Sequence, residues 1–259
     1  MIKEKICVPN RAQERLSTLI FRPPSRPGFV LLVAHGFRGA KENRGRIESL
    51  AAKVVELGGS LWAFDFRGSG ESDGSFRDVT LTRQMEDLRL MVDYVKRVEP
   101  GPLAVLGRSF GGTTALGVAA LVEGIEWLIL WSAPVYVAKT FQDLMPKEWE
   151  LLFKGQEVTL RDEGGEYILG PDLVRDLVKH DVLKYLQMVK SKRILVVHGE
   201  NDEVVPPANA LAVRDNAPCP VELHLIPGAD HRFTEHQVLR EEITCRWLKR
   251  NLCRDAFLA

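Results

Sequence analysis

The sequence predicts an α/β fold with a mostly parallel, eight-stranded sheet and helices on both faces. Continuous apolar runs, such as 29–34, 61–64 and 127–131, are typical of strands that helices bury on both sides. These runs alternate with segments of helical periodicity, which favours parallel strands joined by crossover helices. The 259 residues suffice to bury a sizeable core, and no repeat or low-complexity linker divides them.

The charge balance narrows the classes of function. Lys plus Arg and Asp plus Glu both number 35, so the formal net charge is zero. This argues against a general nucleic-acid or anionic-membrane binder.

The N-terminus carries Lys3, Glu4 and Lys5 where a secretory signal needs an apolar stretch, and no apolar run is long enough to cross a bilayer. We therefore expect a cytoplasmic protein.

The four cysteines give no sign of a metal site. Cys7, Cys219, Cys245 and Cys253 show no CxxC spacing, and no clustered histidines accompany them. In a reducing compartment free thiols are the expected state. We expect neither a metal nor an organic cofactor.

The first part of the chain begins with two short strands joined by a polar turn, because Pro and Asn interrupt two β-type runs. Helices follow where apolar residues recur at helical spacing, and Gly58-Gly59 ends the first of them. The predicted elements are strands 2–8, 16–21 and 29–34, a helix at 44–57, a strand at 61–64, a glycine-rich loop at 65–74, a helix at 81–98 and a strand at 103–106.

The second part loses its regular alternation at 135–190, a charge-rich insertion of mixed polarity. We interpret it as a cap on a single domain spanning 1–259. Regularity then resumes, and the final helix has Val238, Leu239, Ile243, Trp247 and Leu248 at roughly helical spacing. The remaining predicted elements are a helix over the small residues 113–120, strands 127–131, 194–197 and 221–226, and helices 208–216 and 235–252.

A Gly-x-Ser-x-Gly motif centred on Ser109 separates the strand at 103–106 from the helix at 113–120. A serine at the tip of such a turn has a strained backbone, and side chains at Gly107 and Gly111 would clash. The turn lifts the hydroxyl above the sheet edge and aims helix N-terminal amides beside it. The motif indicates a nucleophile elbow.

Reactive groups in such sheets gather beyond the carboxyl ends of the strands. Ser109, Asp202 and His231 each follow a predicted strand, in the chain order expected for this elbow. We assign Ser109 as nucleophile, His231 as base and then acid, and Asp202 as the group that orients the histidine. Glu200 and Glu203 share the loop of Asp202, so either remains an alternative acid.

Two other histidines, His35 and His198, also lie at strand ends. We expect His35 to brace the loop after its strand and His198 to pack under the loop of the acid.

Two amides must also face the oxyanion. The amide of Phe110 is the first candidate, and the amide of Phe37 is the second. The alternative interpretation of Phe37 is a buried hydrophobic residue.

Five motifs together resemble the α/β-hydrolase superfamily, and most closely the small bacterial serine esterases of the feruloyl (cinnamoyl) esterase type. The resemblance implies an α/β-hydrolase fold with a cap insertion. Two positions depart from it: Arg108 stands where these families commonly carry histidine, and Phe110 where the feruloyl type often has glutamine. We expect Arg108 beneath the turn, paired with a carboxylate. The motifs are His-Gly-Phe at 35–37, the loop at 65–74, the elbow at 107–112, His-Gly-Glu-Asn-Asp-Glu-Val-Val-Pro at 198–206 and Gly-Ala-Asp-His-Arg-Phe at 228–233.

The expected function is a serine carboxylic ester hydrolase that forms an acyl-enzyme on small to medium acyl or aromatic esters, as a monomer or homodimer. A serine peptidase or thioesterase of the same fold is the alternative, and a non-catalytic binding module is a third. The aromatic residues Trp149, Phe153 and Tyr167 of the insertion either form an apolar acyl pocket or pack the cap onto the sheet.

Overall fold

The computed structural model describes residues 1–162, 165–191 and 193–256. Eight of the strands described form one sheet in the order β1-β2-β4-β3-β5-β6-β9-β10. Strand β2 runs antiparallel to β1 and β4, and the other pairs are parallel. The prediction of a mostly parallel, eight-stranded sheet is confirmed. The strands are β1 (Ile2–Pro9), β2 (Arg15–Arg22), β3 (Val30–Ala34), β4 (Ser60–Phe64), β5 (Leu103–Arg108), β6 (Trp127–Trp131), β9 (Arg193–Gly199) and β10 (Val221–Ile226), with β7 (Val158–Asp162) and β8 (Gly165–Leu169) in a separate hairpin.

Helices cover both faces of this sheet. Leu31 and Leu32 are neighbours on β3 but belong to different apolar clusters, because successive strand residues face opposite sides. Residues of α1 and α9 join one cluster, and residues of α2, α3 and α8 join the other. The helices are α1 (Ile47–Glu56), α2 (Leu81–Val98), α3 (Phe110–Leu121), α4 (Val137–Leu144), α5 (Pro146–Phe153), α6 (Asp172–Leu177), α7 (Val182–Met188), α8 (Ala208–Asn216) and α9 (Gln237–Ala256), with 3₁₀ turns at Asn43–Gly45 and Phe76–Asp78.

Helix α2 shows how local sequence sets these elements. Thr80 has extended backbone angles, and its hydroxyl accepts a hydrogen bond from the amide of Arg83, which caps the first turn. Leu88, Met91 and Val92 repeat at helical spacing and are buried.

Among the described residues, no helix combines the length and the apolarity needed to cross a membrane.

The segment 135–190 contains α4 to α7 and the β7–β8 hairpin. It rests on the face that carries α2 and α3: the amide and hydroxyl of Thr82 donate to Asp176, and the amide of Gly170 donates to the carbonyl of Arg77. Its buried leucines join the apolar cluster on that face. The division of the chain into one domain with a cap at about 135–190 stays a prediction.

Two helix predictions differ from the structure. The helix expected at 44–57 begins at Ile47, because Asn43 and Arg44 have positive φ angles of 46° and 57° and turn the chain before α1. In α9, Val238 is 60% exposed and Leu239 is 40% exposed. The first turn of that helix buries charged side chains instead.

Candidate active site

Ser109 lies at the junction of β5 and α3 with φ 52° and ψ −125°, a strained conformation for a side chain that bears a Cβ. The close packing around it requires glycine. A Cβ on Gly107 would lie 2.4 Å from the carbonyl oxygen of Gly111. A Cβ on Gly111 would lie 2.3 Å from the backbone oxygen of His35, so the second glycine makes room for the end of β3 as well as for the turn.

The structure brings Ser109, His231 and Asp202 together from three separate strand ends. His231 Nε2 lies 3.1 Å from Ser109 Oγ, and its Nδ1 lies 2.9 Å from each carboxylate oxygen of Asp202. With Nδ1–H donating to the carboxylate, Nε2 is free to accept the proton of the serine hydroxyl. This is the geometry that base-activated nucleophilic attack requires.

The carboxylate of Asp202 is fixed from several sides. Its Oδ1 accepts hydrogen bonds from the amides of Val204 and Val205, and its Oδ2 lies 3.3 Å from His198 Nε2. His198 Nε2 also lies 2.7 Å from the carbonyl oxygen of Val205, so this side chain packs under the acid loop. Burial alone would raise the pKa of Asp202, but the hydrogen bonds from His198 and His231 hold it well below its usual range.

The alternative acids of the sequence have other contacts. Glu203 accepts a hydrogen bond from the backbone amide of His231 at 3.0 Å, so it holds the histidine loop and not the imidazole. Asp230, the sequence neighbour of His231, is a further carboxylate near the ring, and it accepts from the amide and hydroxyl of Thr234. Glu200 is exposed. Of these carboxylates, Asp202 is the one in contact with the ring of His231.

The loop after β3 passes directly beside the nucleophile. A Cβ on Gly36 would lie 3.1 Å from Ser109 Cβ. The amides of Phe37 and Phe110 donate to no acceptor in the described part of the chain, although each belongs to a residue beside Ser109 in space or in sequence. The His35 ring braces this loop: its Nδ1 lies 2.8 Å from the carbonyl oxygen of Gly36, and burial lowers its pKa.

An ion network around the buried Lys41 holds the same loop. Lys41, whose side chain is fully buried, places its Nζ 2.7 Å from Asp65 and 2.6 Å from Glu71. Its backbone amide donates to Asp65 as well. Burial would lower the pKa of Lys41, but these hydrogen bonds raise it, and Lys41 in turn holds the pKa of Glu71 at about 2. The network ties the loop after β3 to the glycine-rich loop after β4, and the sequence analysis missed it.

Ser109 and His231 open onto a cavity of about 740 Å³. Aromatic side chains form one side, which we call the aromatic wall. Phe37 packs on Phe141 at 4.9 Å between ring centroids, and Phe110 packs on Phe141 at 5.1 Å. Two of the five residues come from the insertion. The aromatic wall consists of Phe37, Phe76, Phe110, Phe141 and Tyr167.

The aromatic residues of the insertion that were expected to line a pocket or pack the cap lie in different environments. Tyr167 lines the cavity, Trp149 is buried within the insertion, and Phe153 is 62% exposed. Cys7, Cys219 and Cys245 are free thiols, while the side chain of Cys253 lies outside the described residues.

The expectation of a carboxylate partner for Arg108 is wrong. Its Nε is buried and has no hydrogen-bond partner, and no ion pair joins it to a carboxylate in the portion of the chain that is described. Arg108 lines the cavity. The charge of Asp202 acts favourably on Arg108, but the carboxylate of Asp202 bonds to His231.

Comparison with known proteins places this site in a family. The family model Hydrolase_4, described as serine aminopeptidase S33, matches residues 25–168. A monoacylglycerol lipase of Mycolicibacterium smegmatis is 25% identical over 264 residues, covering 90% of this chain and 92% of the lipase. The mouse mitochondrial palmitoyl-protein thioesterase ABHD10 is 27% identical over 237 residues, covering 88% of this chain and 74% of the thioesterase.

A solved structure shows the same fold. Est1E from Butyrivibrio proteoclasticus, determined with ferulic acid bound, superposes with a TM-score of 0.80 at 23% identity, covering 96% of this chain and 99% of Est1E. The resemblance to the α/β-hydrolase superfamily that the motifs indicated is confirmed. The chain belongs to the Hydrolase_4 (serine aminopeptidase S33) family of the α/β-hydrolase superfamily and is a serine hydrolase of the esterase type.

Proposed function

We propose that this protein is a carboxylic ester hydrolase that acts through Ser109, His231 and Asp202. The observation that carries the proposal is the continuous chain of contacts from Asp202 through His231 to Ser109, at 2.9 and 3.1 Å. Ser109 attacks the ester carbonyl while His231 takes its proton, and Asp202 stabilises the imidazolium that forms.

The unpaired amides of Phe37 and Phe110 are the proposed oxyanion donors. Each keeps its N–H available for the negative oxygen of the tetrahedral intermediate, and both sit on segments that glycine packing fixes. His231 then protonates the departing alcohol. Water repeats the sequence on the acyl-enzyme and restores the serine hydroxyl.

Small to medium acyl or aromatic esters are the proposed substrates. The cavity of about 740 Å³ is large enough for a substrate of this size, and edge-to-face aromatic contacts favour an aromatic or apolar group against the aromatic wall. Ferulic acid is bound in Est1E, which has the same fold. We infer that residues 135–190 act as a cap, since Phe141 and Tyr167 belong to that wall.

A thioesterase or peptidase of the same mechanism is the second candidate. The similarity to a palmitoyl-protein thioesterase and the aminopeptidase description of the family favour testing it. A comparison of kcat/KM on matched ester, thioester and aminoacyl-amide substrates, including methyl ferulate, separates the two. We expect the oxygen ester to give the highest value. A thioester or amide that exceeds it would move the assignment to that bond.

A further inference from the structure

Five arginines line the cavity that holds Ser109. Arg38 lies over the rings of Phe37 and Tyr167 in the aromatic wall. We call the other four, Arg44, Arg46, Arg108 and Arg232, the basic wall. Arg44 lies in the 3₁₀ turn after β3, and Arg46 follows that turn. Arg108 immediately precedes the nucleophile, and Arg232 immediately follows His231. The four arginines of the basic wall therefore come from the ends of three strands, β3, β5 and β10, and line the same cavity as Ser109.

The arginines of the basic wall have no ion-pair partner among the described residues, 1–162, 165–191 and 193–256. Elsewhere in the chain arginines are paired, as Arg15 is with Asp73 and Arg67 is with Asp87. The nearby carboxylates are engaged: Glu241 faces the cavity but accepts from Lys53, Ser49 and Gln237.

Arg108 is the most confined member. Its Nε is buried without a hydrogen-bond acceptor, an arrangement that is costly for a cation. Burial, and after it the charges of Arg232, Arg46 and Arg44, lowers its pKa to about 10, so it stays cationic at neutral pH.

Another arginine, Arg240, lies close enough to Arg108 for the two charges to act on each other. Arg240 is almost fully buried in α9 and stacks its guanidinium 3.9 Å over the ring of Trp131 and 4.8 Å over the ring of Phe233. Burial and the charge of Arg108 lower its pKa to about 9. Its presence adds positive charge where the buried Arg108 already lacks a partner.

The backbone under the basic wall is also strained. Asn43 and Arg44 both have positive φ, a conformation that residues other than glycine rarely adopt. Strain of this kind clusters at ligand sites, where surrounding structure holds it in place. Arginines without ion pairs, a buried unpaired donor and two residues of positive φ thus occur together in the lining of this cavity.

We propose that the basic wall binds an anionic group, a carboxylate or phosphate, carried by the substrate; this rests on the ester hydrolase function proposed above. Guanidinium groups match the planar, bidentate geometry of these oxyanions. The aromatic wall takes the apolar part of the same molecule. Arg108 and Phe110 flank Ser109 in the chain, so a residue of each wall is adjacent to the nucleophile.

Matched substrate pairs test the inference. The acyl arm compares p-nitrophenyl hemiglutarate with p-nitrophenyl hexanoate, and the alcohol arm compares 4-acetoxybenzoate with its methyl ester. Each pair is measured on the wild type, on Arg46→Gln, Arg232→Gln and their double variant, and on Arg214→Gln. Arg214 is a control because it lies on the exposed surface of α8, in an ion pair with Asp215.

We expect the anionic member of at least one pair to have about a tenfold to hundredfold higher kcat/KM in the wild type, the range that a charge-assisted hydrogen bond supplies. The double variant should lose most of that ratio, and Arg214→Gln should keep it. Equal or lower kcat/KM for the anionic member in both arms, with a ratio that the double variant leaves unchanged, would overturn the inference. Turnover of the neutral esters by the wild type tests the proposed function separately.

A binding measurement gives a readout that needs no turnover. Inorganic phosphate and benzoate are titrated into the Ser109→Ala variant, and the melting temperature is followed. We expect stabilisation by the anion that the site prefers, and its loss when Arg46→Gln and Arg232→Gln are added. The proposal would be contradicted if neither anion raised the melting temperature at concentrations that saturate ordinary anion sites. The anion that raises the melting temperature more, phosphate or benzoate, identifies the oxyanion that the basic wall prefers.

Discussion

Replacing Asp202 by asparagine tests the proposed role of the carboxylate with little change in shape. The structure shows His231 Nδ1 at 2.9 Å from both carboxylate oxygens, and the amides of Val204 and Val205 on one of them. An asparagine keeps one oxygen for these amides but replaces the other with an NH₂ group. The negative charge that stabilises the imidazolium is lost in either amide orientation.

The expected effect on turnover is large. In triads of this geometry, an acid-to-amide change lowers kcat by roughly 10³- to 10⁴-fold, because the neutral imidazole is no longer held in the reactive tautomer and the imidazolium loses its counter-charge. At about 1.36 kcal/mol per factor of ten, this is about 4 to 5.5 kcal/mol of transition-state stabilisation. His198 Nε2, 3.3 Å from the same carboxylate, adds a second contact that the amide weakens.

The assay is steady-state hydrolysis of a p-nitrophenyl ester at neutral pH, with Asp230→Asn as the matched control. Asp230 is adjacent to His231 in sequence but bonds to Thr234, so its loss should change kcat little. The reasoning would be refuted if Asp202→Asn kept wild-type turnover, or if Asp230→Asn lost as much as Asp202→Asn.

Three further predictions concern stability and thiol reactivity. Gly111→Ala should lower the free energy of unfolding by about 3 kcal/mol, because its Cβ would lie 2.3 Å from the backbone oxygen at the end of β3. Gly28→Ala is the control: its Cβ has no contact under 3.7 Å, so thermal denaturation should show almost no change in stability. The pKa of Asp202 is lower in the folded than in the unfolded state, so its ionised carboxylate stabilises the fold above about pH 4, and this stabilisation is lost as the pH falls further. The melting temperature should therefore fall on acidification, and it should fall less steeply in Asp202→Asn. Burial raises the pKa of the Cys245 thiol to about 11, so iodoacetamide should modify the exposed Cys7 well before Cys245, as peptide mass spectrometry would show, and equal rates would contradict this.

Features set by local chemistry could be predicted from the sequence. The apolar runs identified the strands because a strand that helices cover on both faces carries mostly apolar side chains. The elbow glycines could be read directly, since a Cβ at Gly107 would meet the backbone of Gly111. Chain order placed Ser109, Asp202 and His231 at strand ends on one edge of the sheet.

Features set by tertiary contacts could not be predicted. The periodicity at 44–57 looked helical, but two residues of positive φ delay α1 until Ile47. Arg240 is buried because Trp131 and Phe233 stack on its guanidinium, which the apolar spacing of α9 does not reveal. Likewise, no local pattern joins Lys41 to Asp65, 24 positions along the chain.

The central claim is that Ser109 is the nucleophile of an ester hydrolase. The direct test measures hydrolysis of p-nitrophenyl esters from acetate to palmitate by the wild type and by Ser109→Ala, together with labelling by a fluorophosphonate probe. We predict turnover and labelling at Ser109 in the wild type, and a loss of turnover of about 10⁴-fold or more in the variant, because removing a triad nucleophile leaves only the oxyanion donors and binding. A Ser109→Ala variant that hydrolyses these esters as fast as the wild type would contradict the account.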